Sequence, residues 1–394
     1  MKIVSIDITH VAVNKVRGNW TFVQVRTDEG ITGLGEATHV YAPEGSERAL
    51  RAIEPHIVGR DPLNIEALMQ TFLGADKSGG PQYITALSGI ETALWDIKGK
   101  VLGAPVHSLL GGKIRDRLRL YANLNRKQGL KVSPQGFASA ALEAVQAGFT
   151  AVKFYPFYGY MDGTNVVAGK LKDSVRDEGL ARVAAVREAL GPEVDILLQM
   201  PPYDMDIEQM MALAEAFETY RPYWYQGTWA RTQDQVTFAR STSIPVTSPA
   251  RGPMTASRSQ WGEMLCAGAM SITNPDLMSV GGLWEMKKIA SMVEAFGVRF
   301  SPHSPYGPVH TVADGHLCAT VANFDILEYS VAEAPWRGQV TRPGEHIQDG
   351  YLVVSDAPGL GIELDEAIAA LHPLGPHPSP GGLDAVWGTR STKK

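Results

Sequence analysis

The sequence predicts an α/β protein in which a closed β/α barrel follows an N-terminal α+β unit. From residue 118 onward, eight short apolar runs (118–123, 150–155, 195–199, 223–226, 244–247, 269–273, 298–301 and 324–328) alternate with seven helical stretches such as 183–190 and 209–220. An eight-fold strand count with helical connections fits a closed barrel better than an open doubly wound sheet. Residues 1–60 instead open with strand signals, and 46–110 switch to a helical period.

In order along the chain, residues 3–13 alternate apolar and polar side chains, TFVQVR (21–26) does so again, and the turn Asp28-Glu29-Gly30 leads into Thr32-Gly33-Leu34-Gly35-Glu36. A meander of antiparallel strands follows from this pattern. Leu87, Ile90, Leu94 and Ile97 then mark one helical face before the stop Leu109-Leu110-Gly111-Gly112. The domain limits read as 1–117 for the α+β unit, 118–342 for the barrel, and 343–394 for a turn-rich segment, strand-like at 351–354, that returns to the N-terminal unit. The connection 156–177 is long for a β-to-α loop and carries aromatics among glycines, as functional lids and oligomer contacts do.

The composition excludes several classes. Of 394 residues, 44% are hydrophobic and 20% charged, enough for one large core and a smaller one. A net charge of −6 with scattered Lys and Arg offers no basic face for nucleic acid. No run approaches a membrane span and the N-terminus lacks the layout of a signal peptide. Cys266 and Cys318 each fall in a helix-like apolar stretch, which suits buried thiols, a reducing compartment and a cytoplasmic protein. Gly33-x-Gly35 lies in a hairpin and lacks the strand-to-helix context of a dinucleotide fingerprint.

The most informative stretch is 271–308. Asp276 ends one strand, Gly281-Gly282 opens a helix, and His303 ends the next strand. A right-handed crossover sets the two strand ends side by side, so that the carboxylate can orient the imidazole as a general base. The bland alternative is a structural hydrogen bond. Lys153 at an apolar strand end is costly to bury alone, which favours a pocket-facing role or a pairing with Asp195 or Glu328. Trp95, Trp284 and Met286 read as core packing.

Several motifs in order, TFVQVRTDEGITGLGEA, SGIETALWDIKGKVLGAPVHSLLGG with RDRLRLYAN, AVKF, NPDLMSVGGLWEMKKIA, SPHSPYGP and ILEYS, resemble the mandelate racemase and muconate lactonizing enzymes of the enolase superfamily, and in pattern their sugar-acid dehydratases such as galactonate dehydratase. The resemblance covers nearly the whole chain. It implies a modified TIM barrel, (β/α)₇β, an α+β capping domain built from both termini, and a homo-oligomeric lyase or isomerase with chemistry at the C-terminal strand ends. The implied catalytic residues are His303, Asp276, Lys153, Glu328 and, at the second position of the family's Lys-x-Lys motif, Tyr155. Substrate contacts are expected from Arg251, Gln199, Gln226, Trp20, Asn14 and Tyr306.

The family reaction removes a proton alpha to a carboxylate, and such sites pair a Lys or His base with magnesium. The family's acidic ligands at the ends of barrel strands three, four and five correspond here to Gln199, Gln226 and Ala250. Shifting the fourth strand by one would offer Tyr225 or Gly227, still no acid. Magnesium wants octahedral oxygen ligation including carboxylates, so no cofactor is expected and the metal site reads as lost. Two functions remain open. One is a metal-independent dehydratase, epimerase or cycloisomerase acting on a small acid sugar or lactone. The other is a non-catalytic relative that binds a small carboxylate or sugar.

Overall fold

The computed structural model describes residues 1–13, 18–39, 43–73, 80–160, 165–167, 169–200, 205–227, 229, 231–250 and 257–374. The chain opens with the meander β1 (Ile3–Ala12), β2 (Asn19–Thr27) and β3 (Thr32–Glu36), all antiparallel. Three helices follow, α1 (Pro43–Ile57), α2 (Ile65–Leu73) and α3 (Gly80–Leu102), with the short α4 (Val106–Leu109) after them. Leu87, Ile90, Leu94 and Ile97 are buried on α3 as the period requires. Gly33 and Gly35 owe their place to packing: a Cβ on either would strike the α3 backbone at Ala93 or Gly89.

The barrel strands in order are β4 (Arg117–Asn123), β5 (Ala151–Phe154), β8 (Asp195–Gln199), β9 (Trp224–Gln226), β10 (Val246–Thr247), β11 (Ile272–Thr273), β12 (Arg299–Phe300) and β13 (Leu327–Ser330). Neighbours pair in parallel, β13 pairs with β4, and a Phe300↔Phe324 bridge links the seventh strand to the segment entering the eighth. After β5 lies a small hairpin of β6 (Val166–Val167) and β7 (Lys170–Leu171). The helices that cover the barrel are α5 (Pro134–Gln146), α6 (Asp173–Leu190), α7 (Ile207–Glu218), α8 (Thr232–Ser241), α9 (Arg258–Cys266), α11 (Leu283–Ala295) after the one-turn α10 (Leu277–Val280), and α12 (Pro308–Cys318). This is the (β/α)₇β count. The predicted loop 156–177 is shorter than expected, because α6 already starts at Asp173.

Side chains alternate across each strand. Tyr121, Ala151, Leu197, Trp224, Ile272 and Ile326 fill the barrel interior, while Val152, Phe154, Ile196, Leu198 and Tyr225 join the larger core. The same parity carries Lys153, Gln199, Gln226 and Glu328, two residues further on, to the interior at the C-terminal rim.

In the C-terminal segment the strand β16 (Tyr351–Val353) pairs antiparallel with β4, and with β15 (Ile347–Gln348) on its other side. The return to the N-terminal unit comes later. The pair β14 (Thr341–Arg342) and β17 (Glu363–Leu364) leads to α13 (Glu366–Ala370), and Pro373 bridges Val11. Cys318 is buried as expected, whereas Cys266 is exposed, because it falls on the outer face of α9. No described helix is long and apolar enough to cross a membrane.

Three buried carboxylates of the N-terminal unit join it to the rest. Glu36 accepts from the Gly307 and His310 amides at the start of α12, at 2.8 and 3.0 Å. Glu91 accepts from the Leu283 and Trp284 amides at the start of α11, at 2.7 and 3.0 Å. Unsatisfied amides and the helix dipole favour an acid at each place. Gly282, with φ +105, is needed here, since a side chain would collide with Glu91. Asp96 accepts from the Leu34 and Leu360 amides and pairs with Lys100 at 2.7 Å.

Candidate active site

Asp276 follows β11 and caps α10 through Oδ1, which accepts from the Met278 amide at 2.9 Å. Its Oδ2 lies 2.8 Å from His303 Nδ1. The loop after β12 brings the ring there, and the His303 amide bonds the Pro275 carbonyl at 2.9 Å. The carboxylate is fully buried and the imidazole side chain is 15% exposed. This leaves Nε2 as the outward nitrogen, 3.8 Å from Glu328 Oε2 and beyond hydrogen-bond reach.

Glu328 on β13 is also fully buried. Its Oε1 takes the Asn123 side-chain amide at 2.5 Å and lies 3.4 Å from Lys153 Nζ, while Oε2 takes the Ser304 amide at 3.1 Å. Burial pushes this carboxyl up, but Lys153, His303 and the two donors outweigh it and hold the group below its ordinary pKa. Lys153 is only 2% exposed, so of the two partners foreseen it has taken Glu328, and Asp195 pairs with Arg119 instead. The ammonium also lies 5.6 Å from the centre of the Tyr121 ring. The Tyr121 hydroxyl lies beside Glu328 without an aligned hydrogen bond. Burial and that carboxylate raise its pKa well above the usual phenol range.

Around the other half of the rim the groups are neutral. Gln199 and Gln226 end adjacent strands in register. Gln226 is buried and donates from Nε2 to Asn274 Oδ1 at 3.1 Å, and Asn274 in turn donates to the Ser301 carbonyl at 2.7 Å. Tyr225, the preceding residue of that strand, points outward, and its hydroxyl bonds the Ala214 carbonyl at 2.7 Å. Gln199 and Ala250 are half-buried.

The remaining expected residues fall in different places. Tyr306 is buried, and its hydroxyl donates to Asp276 Oδ2 at 2.7 Å, so it backs the dyad rather than lining an open rim. Behind it stands His310, ring centroids 4.7 Å apart, with Nε2 2.9 Å from Asp314 Oδ2 but not aligned for a hydrogen bond. Burial opposes charging this imidazole, yet Asp314, Asp276 and Glu36 together hold its pKa above normal. The Tyr155 ring is buried edge-on to Phe157 at 5.6 Å, because the chain leaves β5 at Phe154 and the strand alternation stops there. Trp20 is buried against Trp336 and Arg337, at 5.1 and 5.4 Å. Asn14 and Arg251 lie outside the described residues. Asn123, Asn274 and Tyr121 were not singled out from the sequence. The barrel parity of their strands was the signal that could have found them.

Comparison with known proteins agrees with this architecture. Residues 4–111 match the mandelate racemase / muconate lactonizing enzyme N-terminal domain, and residues 136–368 match the enolase C-terminal domain-like family. A D-galactonate dehydratase of Xanthomonas euvesicatoria pv. vesicatoria is 34% identical over 370 residues, covering 91% of this chain and 92% of that protein. One from Ralstonia nicotianae is 34% identical over 375 residues, covering 92% and 93%. Among solved structures, a mandelate racemase/muconate lactonizing enzyme from Jannaschia sp. CCS1 superposes with a TM-score of 0.85 at 32% identity, covering 96% of this chain and 99% of that one. Another, from Sulfitobacter sp., gives 0.86 at 29%, covering 96% and 97%. The strand-end carboxylates and imidazole thus sit in a capped (β/α)₇β scaffold shared along nearly the full length, and the chain belongs to the mandelate racemase/muconate lactonizing enzyme family of the enolase superfamily.

Proposed function

We propose that the protein is a lyase or isomerase that removes the proton alpha to the carbonyl of a sugar acid or its lactone, with His303 as base and no resident divalent ion. The single observation that supports this most is the 2.8 Å contact between His303 Nδ1 and the buried Asp276, with Nε2 left toward the rim. A buried carboxylate on one ring nitrogen fixes the tautomer and stabilises the imidazolium formed when the other nitrogen takes a proton. The sugar-acid class is favoured by the relatives named D-galactonate dehydratase. In a dehydration, the electron pair left on the alpha carbon expels the beta hydroxyl, which departs as water once protonated, and the resulting enol becomes a ketone.

The donor set argues against magnesium. Of the three positions where the family places acids, two are neutral amides, one of them already engaged with Asn274, and Ala250 offers no ligand. Among the described residues no group of three His, Cys, Asp or Glu could hold a metal ion. Losing a Lewis acid removes several kcal/mol of transition-state stabilisation. A more acidic proton, such as one alpha to a lactone carbonyl, needs less help. Lys153, held beside Glu328, and the amides of Gln199 and Gln226 are the groups available to stabilise developing oxyanion charge.

The test is solvent-deuterium incorporation into six-carbon aldonates and their lactones, with and without chelator. Exchange that survives chelator and disappears in His303→Asn, with a kcat loss of roughly 10²–10⁴, is the expected result. Exchange that depends on added metal would overturn the metal-independent part. Turnover of an identified substrate within a few-fold of wild type in His303→Asn would overturn the base, and binding without exchange would establish the non-catalytic reading.

A further inference from the structure

Three arginines among the described residues are buried by nine-tenths or more, and two of them are saturated. Arg182 donates to the Pro156 and Tyr158 carbonyls at 2.9 and 2.8 Å and to Glu178 at 3.2 Å. Arg337 reaches Glu333, Glu345, the Tyr306 carbonyl and Thr311. The third, Arg126, is 8% exposed, and its Nε and Nη1 have no hydrogen-bond partner. Among the described residues no carboxylate lies within ion-pair distance of it.

Arg126 closes the 3₁₀ turn Leu124–Arg126 directly after β4, at the C-terminal rim. The same turn is fastened to the candidate site on both sides. The Asn123 amide holds Glu328, and Asn125 Oδ1 takes the Tyr155 amide at 2.9 Å, at the end of the strand that carries Lys153. A buried cation without counter-charge is expensive, and a guanidinium, unlike a lysine, cannot escape by losing its proton. Such a group persists where a ligand supplies the missing acceptors. Its planar fork suits the two oxygens of a carboxylate. Lys153 stands beside Glu328, and among the described residues Arg126 is a buried cation at this rim with donors to spare at Nε and Nη1.

We propose that Arg126 binds the carboxylate of the substrate, which would therefore be an open-chain polyhydroxy acid anion rather than a neutral lactone or alditol. The proposal rests on reading the rim as the active site and names the substrate class for it. It is tested by calorimetric titration of wild type, Arg126→Met and Arg126→Lys with D-galactonate and D-gluconate, and with D-galactono-1,4-lactone and galactitol as uncharged matches. The expected result is aldonate binding to wild type that weakens about a hundred-fold or more in Arg126→Met and less in Arg126→Lys, with lactone affinity changed by no more than a few-fold. Ligand-free Arg126→Met should also melt no lower than wild type, since a purely structural arginine would lower the melting temperature when removed. The proposal is overturned by aldonate affinity within three-fold of wild type in Arg126→Met, by an equal loss for lactone and acid, or by failure of both aldonates to bind wild type. Because binding is read without turnover, a deuterium-exchange failure alongside Arg126-dependent aldonate binding would remove the base assignment and leave the anion subsite in place.

Discussion

From β11 through β12, β13 and β4 to β5, the rim carries Asp276, His303, Glu328 and Lys153, whereas from β8 to β10 the corresponding strand ends carry Gln199, Gln226 and Ala250. Both halves lie at or just beyond the C-terminal ends of the barrel strands. They differ in whether each polar group has an opposite charge to meet. Glu328 is fully buried, yet Lys153 and His303 keep its pKa below normal. Glu91, equally buried at the domain junction, has only amide and indole donors, and burial pushes it up to about 7. At these two buried sites the adjoining cations make the difference: Glu328 is held low beside Lys153 and His303, and Glu91, without a cation, is pushed up. The neutral half, with no cation at its strand ends among the described residues, is therefore consistent with amides rather than acids.

The largest expected effect breaks the charged half. Lys153→Met leaves Glu328 buried without its cation, and removing one member of a buried pair typically costs about 3–5 kcal/mol of stability. Urea denaturation should show this loss at pH 7 and its partial recovery in Lys153→Met with Glu328→Gln. The pH dependence should also change sign. In wild type, Glu328 has a folded pKa below 4.5, so its contribution is present above that value and is lost as pH falls further. In the single variant Glu328 should behave like Glu91, with stability lost as pH rises from 4.5 toward neutrality. An unchanged profile would mean that Lys153 does not set the charge of Glu328.

The next effect is on the neutral half. Gln226→Glu replaces the donor to Asn274 Oδ1 with a second acceptor, while the Asn274 amide is already used by the Ser301 carbonyl. A loss of about 1–3 kcal/mol is expected from the unsatisfied groups. Combining it with Gln199→Asp and Ala250→Glu should create magnesium binding visible by calorimetry, and added magnesium should then raise the melting temperature of the triple variant. Absence of both effects would show that these three strand ends do not converge on one ion.

What was legible in the sequence follows from local signals. The strand 195–199 is found at its expected limits, and the nearness of Asp276 and His303 was readable because they follow successive strands of a β-α-β unit, a short-range geometry with one handedness. Tyr306 was expected at the rim and instead backs Asp276, since three residues of irregular chain after His303 carry no period from which to read direction. Arg126 went unnoticed for the same reason. A residue in a 3₁₀ turn looks like solvent-exposed punctuation, and its burial depends on β4 lying beside β5 and β13. The partners of Glu36 and Glu91 lie 271 and 192 residues away, a pairing that only the assembled domains display.

The smallest effect sharpens the comparison inside the charged half. Oδ2 of Asp276 is shared, taking the Tyr306 hydroxyl at 2.7 Å and facing His303 Nδ1 at 2.8 Å. A phenol that donates to a carboxylate draws off part of its charge and weakens its hold on an imidazolium. Tyr306→Phe should therefore cost only about 0.5–1.5 kcal/mol of stability, while the acid limb of the rate profile moves to higher pH. The other charged groups near the dyad stay in place: Glu328 lies 3.8 Å from His303 Nε2, Lys153 lies 3.4 Å from Glu328, and His310 stands behind Tyr306 with Asp314 2.9 Å away. None of these is altered directly by the substitution, so the shift isolates the phenol. If the acid limb stays fixed while stability drops, Tyr306 serves packing alone and the dyad is insensitive to its second donor.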